Sequence, residues 1–116
     1  MVVLIDGGAT HNFIPTELVR HLALLREETT GYGVVMGTGM AMQGVGICKG
    51  VKLNLQNLQI IEDFLPLDLG SSDVILGMKW LAAIGKMNVD WKALTMKFQI
   101  GGIIVTLQGD PSLSKT

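Results

Sequence analysis

One acidic residue stands where it could act as a catalyst. Asp6 closes the apolar run Val2-Val3-Leu4-Ile5 and leads directly into Gly7, Gly8 and Ala9. The β-branched run suits a buried strand, and the glycines after it let the backbone turn sharply and approach closely to whatever the carboxylate faces. Asp-Gly is equally a common turn dipeptide, so the octet on its own reads first as a strand-ending turn. The other reactive types are sparse. Cys48 is the only cysteine and reads as a buried, inert thiol; His11 and His21 have no second ligand at metal spacing, so neither a metal nor a cofactor is called for.

The elements that must position Asp6 are short. Fifteen glycines divide the chain into segments rich in Val, Ile and Leu, the pattern of a mainly-β domain with tight turns. Two segments depart from it. Pro15 to Leu22 predicts a short helix, with Pro15 at the first helical position, Glu17 near the positive end, and Leu18 and Leu22 on one face. Met78 to Ile84, closed by Gly85, predicts a second, with Trp80, Leu81 and Ile84 as its apolar stripe. Between them, Tyr32 to Gly50 reads as a glycine-rich hairpin through Gly37-Thr38-Gly39. No helix start follows these glycines and no lysine precedes a Ser or Thr in this segment, which argues against a phosphate-cradling loop.

Val51 to Leu55 alternates as a half-wet strand, and Ile60-Ile61 with Phe64-Leu65 forms the next. Glu62, Asp63 and Asp68 read as a solvated acidic loop, and Trp80 and Trp91 as core. Met87 to Trp91, Thr95 to Ile100 and Ile103 to Leu107 predict a meander, with Gly101-Gly102 as a two-residue turn. Residues 1–110 are expected to form one domain and 111–116 a frayed polar tail.

A formal net charge of −1 and scattered basic residues leave no electrostatic footprint for nucleic acid. No apolar run approaches the ~20 residues of a membrane-spanning helix, and the chain is expected to be intracellular. Hydrophobic residues make up 48% of a short chain that carries few charges, which points to a core completed by a partner, most simply a second copy.

Three features fall in a telling order: strand-Asp6-Gly7-Gly8-Ala9, the glycine-rich hairpin, and Val74-Ile75-Leu76-Gly77 running into a short helix. That order resembles the retropepsins, the retroviral-type aspartic proteases. VLIDGGATHNFI, IIEDFLPLDLGSSDVILGMKWL and DWKALTMKF are similar to the protease region of plant Ty3/gypsy-type retrotransposon polyproteins. The resemblance implies a small closed β-barrel with one or two short helices, acting as a homodimer on peptide or polyprotein substrates in the cytoplasm, within a virus-like particle. It implies that Asp6 is catalytic, that Gly7, Gly8 and Ala9 complete its loop, and that Ile75, Leu76 and Gly77 pack beneath that loop. Residues 34 to 47 would be the flap, with Met36, Gly37, Thr38, Gly39 and Met40 facing substrate.

Carboxylate chemistry agrees with the dimer. Peptide hydrolysis needs one ionised and one neutral acid, and two carboxyls ~3 Å apart cannot both ionise. One chain supplies half of such a pair. The chain also departs from the family pattern. Gly7 stands where the family has Ser or Thr, whose hydroxyl ties the two loops of the dimer. Only five residues precede Asp6, where the family has roughly a strand and a hairpin, so the barrel is expected to lack a wall. Met78 stands where many retroviral proteases carry a basic residue. Gly7 motivates the alternative, a catalytically silent module that keeps the fold and binds peptide.

Overall fold

The computed structural model describes residues 2–35, 39–70 and 73–110. Met36, Gly37 and Thr38 of the expected flap, and the expected tail 111–116, lie outside the described residues. The fold is mainly β, as the sequence predicts. Among the described residues, ten strands and two short helices follow in the order β1 Val3–Ile5, β2 Phe13–Pro15, α1 Thr16–His21, β3 Tyr32–Val35, β4 Ala41–Gly44, β5 Cys48–Leu55, β6 Leu58–Leu67, β7 Val74–Leu76, α2 Met78–Ile84, β8 Met87–Asp90, β9 Thr95–Ile100 and β10 Ile103–Gln108. Contacts divide the chain after Ala82 into two compact units. The strand ladders group into sheets of five, three and two strands.

In the first unit the five-stranded sheet runs β1-β7-β2-β6-β5. β1 lies parallel to β7, with Ile5 opposite Leu76, and β2 lies parallel to β6 and antiparallel to β7. Central position explains composition: every residue of β2 and of β7 is buried, so both read as unbroken apolar triplets rather than alternating ones. Phe13, Leu67 and Ile75 form a core cluster against which Ala9 packs, together with Tyr32, Val34 and Met42. The last three come from one face of the β3–β4 ribbon, in which Tyr32 pairs with Gly44 and Val34 with Met42. The Tyr32 hydroxyl shares its proton between the carbonyls of Pro66 (2.8 Å) and Gly46 (3.0 Å), pinning the ribbon's base to β6. Burial pushes the Tyr32 phenol up, against a weaker opposing pull from Arg26.

Pro15 ends β2 instead of starting the helix. Its ψ of 137° is extended and it pairs with Leu67, so α1 begins one residue later, at Thr16. The second helix falls on Met78–Ile84 as predicted, with Gly85 at a φ of 86° just beyond it. Glu62 and Asp63 are not in a loop. They lie within β6, because the ladder to β5 continues through Val51↔Glu62 after a register shift between Cys48 and Val51. Gly50 sits in that shift and donates its N–H to Asp63 Oδ1 at 2.9 Å. Burial raises the Glu62 carboxyl, and the neighbouring Asp63 charge raises it further. Cys48 is buried as expected, and burial pushes its thiol up as well.

The second unit is the predicted meander, ordered β10-β9-β8. Gly101 and Gly102 take φ of 57° and 82°, the left-handed pair that a two-residue turn between right-twisted strands requires. Phe98 faces Met87 on one side and Val105 on the other. Trp91 is not core. It is 82% exposed, in a turn where Asp90 Oδ1 accepts the N–H groups of Lys92 and Ala93.

Candidate active site

The sequence places Asp6 at a strand end, and parallel pairing with β7 makes that end a fixed point. The Asp6 N–H donates to the Leu76 carbonyl at 2.9 Å, so the ladder continues one step past Ile5 before the chain turns. The turn then closes on itself. Ala9 N–H donates to the Asp6 carbonyl at 3.2 Å, and Gly8 N–H donates to Asp6 Oδ1 at 2.9 Å. The carboxylate is thereby oriented by its own loop, and Asp6 remains exposed.

The far end of the turn is held from the same side. Met78 N–H donates to the Ala9 carbonyl at 2.7 Å. Residues 76 to 78 thus grip the loop at residue 6 and at residue 9, and Gly77 lies between the two grips. A side chain cannot be accommodated there. A Cβ on Gly77 would run into the His11 carbonyl oxygen and come within 2.6 Å of that of Ala9. Leu76, Gly77 and Met78 thus lie directly against the Asp6–Ala9 turn, and Ile75 shares a core cluster with Ala9. Gly7 is different: the nearest atom to a Cβ built on it is Leu81 Cδ1 at 4.0 Å.

Asn12 is the member of this constellation that the sequence reading passes over. It is 1% exposed, the only polar or charged residue buried to that degree among the described residues. Its Oδ1 accepts the Gly77 N–H at 2.9 Å, its Nδ2 donates to the Asp63 carbonyl at 3.3 Å, and its own carbonyl accepts the Leu65 N–H at 2.9 Å. The signal was present as a lone amide in His11-Asn12-Phe13-Ile14, directly ahead of a fully buried strand, where only a satisfied polar group is tolerated.

Gly39 and Met40 lie at the end of the β3–β4 ribbon, Gly39 at a φ of 86° and Met40 exposed. The ribbon and the loop meet the same cluster: Val34 and Met42 pack on it from one, Ala9 from the other. His11 Nδ1 lies 2.9 Å from Thr10 Oγ1, and its ring is tilted towards Phe13. Among the described residues no group of three or more His, Cys, Asp or Glu is arranged to hold a metal, and no helix is long and apolar enough to cross a membrane.

A family model described as retroviral aspartyl protease matches residues 1–100. The chain belongs to the retroviral aspartyl protease family. No curated protein gives a significant match. Among solved structures, the retroviral protease-like domain of Ddi1 from Leishmania major superposes with a TM-score of 0.67 at 20% identity, covering 97% of this chain and 86% of that one. That likeness establishes a retropepsin-like fold.

Proposed function

We propose that the chain is one half of an aspartic endopeptidase, with Asp6 as the catalytic residue of each protomer in a homodimer. The observation that carries this reading is the double grip of residues 76 to 78 on the Asp6–Ala9 turn, which leaves the carboxylate oriented and accessible. A two-fold axis beside Asp6 brings two such groups together, so that one proton is shared between them. The ionised acid takes a proton from water as the water oxygen bonds to the scissile carbonyl carbon, and the neutral acid donates its proton to the carbonyl oxygen. The resulting tetrahedral species collapses when the leaving nitrogen is protonated and the C–N bond breaks.

The β3–β4 ribbon is the flap over the substrate, and the substrate is an extended peptide. The resemblance to Ty3/gypsy-type sequences supports self-processing of a retrotransposon polyprotein, inside the cell and within a particle, as the biological setting. Cleavage of peptides with apolar flanking residues near pH 5 tests the reading, with Asp6→Asn as control. Loss of cleavage in the variant is the expected result. Equal rates in the two proteins would remove Asp6 from catalysis.

Gly7 favours a second reading, in which the domain binds peptides without cutting them. It lacks the hydroxyl that would cross to the partner loop. A protein that sediments as a monomer, cleaves nothing between pH 3 and 7 and still binds peptide would support it.

A further inference from the structure

Leu76 C=O and Gly77 N–H belong to one peptide group, and a trans peptide points them in opposite directions. The carbonyl end accepts the Asp6 N–H, and the N–H end donates to Asn12 Oδ1, both at 2.9 Å. Asn12 therefore sits one peptide group away from the Asp6 backbone, on the opposite side of β7. The next peptide group is bonded at both ends too. Met78 N–H holds the Ala9 carbonyl, while the Gly77 carbonyl accepts the N–H groups of Trp80 and Leu81, each at 3.1 Å, in the first turn of α2.

We propose that Asn12 is a positioning residue for Asp6, acting through the Leu76–Gly77 peptide group. Three amides in series polarise one another, so the Asn12 carboxamide sharpens the bond that fixes the Asp6 backbone. Its own orientation is set by the donation of Nδ2 to Asp63, whose carboxylate is anchored by Gly50. An acceptor alone is thus insufficient at position 12, because the side chain must also donate. The effect on turnover rests on the endopeptidase reading; the effect on the Asp6 backbone does not.

Two variants separate these requirements. Asn12→Asp preserves shape, but when ionised it can accept from Gly77 and cannot donate to the Asp63 carbonyl; protonation returns the donor. Asn12→Ser is too short to serve both partners at any pH. Asp6, His11, Glu62 and Asp63 are common to all three proteins, so amide exchange rates of Asp6 and Gly77 are compared as ratios to wild type at each pH from 4 to 8. The comparison is confined to conditions in which circular dichroism matches wild type.

The expected result is exchange about tenfold faster at both amides in Asn12→Asp at pH 8, converging on wild type as the pH falls, and uniformly faster exchange in Asn12→Ser. With a cleavable peptide, kcat falls by about ten- to a hundredfold with KM little changed, following the same pH course. An Asp6 amide as protected as wild type in both variants would overturn the proposal, as would an Asn12→Asp effect that ignores pH. If wild type cleaves no peptide, the endopeptidase reading fails and the Asp6 amide still decides the role of Asn12.

Discussion

Replacing Gly7 by serine tests the pairing of two active-site loops more directly than any other change. The site has room, since a Cβ there meets only Leu81 Cδ1 at 4.0 Å, and Gly7 is not among the residues with left-handed backbone. A side chain therefore enters without strain and reduces the freedom of the unfolded chain, stabilising each protomer by about 0.5–1 kcal/mol. A hydroxyl that also reaches the partner's loop adds about 1 kcal/mol per hydrogen bond. Two-fold symmetry doubles this, so association strengthens by ~2 kcal/mol, roughly thirtyfold in the dimer dissociation constant. Gly7→Ala is the control, because it carries the backbone gain without the hydroxyl. Sedimentation equilibrium on the three proteins separates the contributions, and peptide cleavage at low protein concentration rises with dimer fraction. If the serine variant dimerises no more tightly than the alanine variant, the hydroxyl argument fails and Gly7 is not what limits pairing.

Two further perturbations probe the scaffold. Gly77→Ala forces a methyl against the carbonyl oxygens of His11 and Ala9, so urea unfolding should show a loss of at least about 1–3 kcal/mol, and a loss under 0.5 kcal/mol would mean that the grip on the loop is loose. Glu62 has its carboxyl raised in the fold by burial first and by Asp63 second, so the ionised form is penalised at neutral pH. The folded state then holds its proton to higher pH than the unfolded chain does, and stability rises as pH falls towards the unfolded value of about 4.3. Glu62→Gln should therefore raise the thermal midpoint at pH 7, with the advantage over wild type shrinking as pH falls towards about 4.3 and gone below it; an advantage that persists in acid would place its cause elsewhere.

Local chemistry made much of this fold legible. The Gly101-Gly102 turn and the second helix each follow from residues adjacent in the chain and formed where the sequence predicts, whereas the β3–β4 ribbon pairs Tyr32–Val35 with Ala41–Gly44 and stops short of the predicted Gly50, because Cys48 and Gly50 join β5. The errors arose where tertiary pairing overrode local preference. Pro15 was drawn into the β2–β6 ladder and lost its helical position to Thr16. Glu62 and Asp63 look like loop residues by charge, yet β6 carries them because Ile60 and Phe64 on either side are buried in the sheet. Trp91 was misread because aromatic size suggests burial, whereas Asp90 turns the chain immediately before it. At the site, Asp6 and Gly77 could be paired only by resemblance, since 71 positions separate them and parallel β1–β7 pairing has no short-range signal. Asn12 went unseen for the same reason: its partners, Gly77 and Asp63, are remote in sequence.

The clamp and Gly7 concern different requirements of the proposed endopeptidase. Placement of Asp6 within a protomer depends on the Leu76–Gly77 peptide group, on Met78 N–H and on Asn12, and every one of those bonds is made inside a single chain. None of them uses the side chain at position 7. Alignment of two aspartates across a two-fold axis depends on what one loop offers the other, and there a glycine offers only its backbone. Substituting Gly7 leaves the intrachain clamp in place, so any deficit it causes lies in association or in the relative setting of the two loops. A defect at Gly77 or Asn12 acts in the opposite way, loosening each half-site before the halves meet. On the endopeptidase reading, catalysis by paired carboxylates requires both conditions: the intrachain hydrogen bonds serve the first, and at position 7 only backbone is on offer for the second.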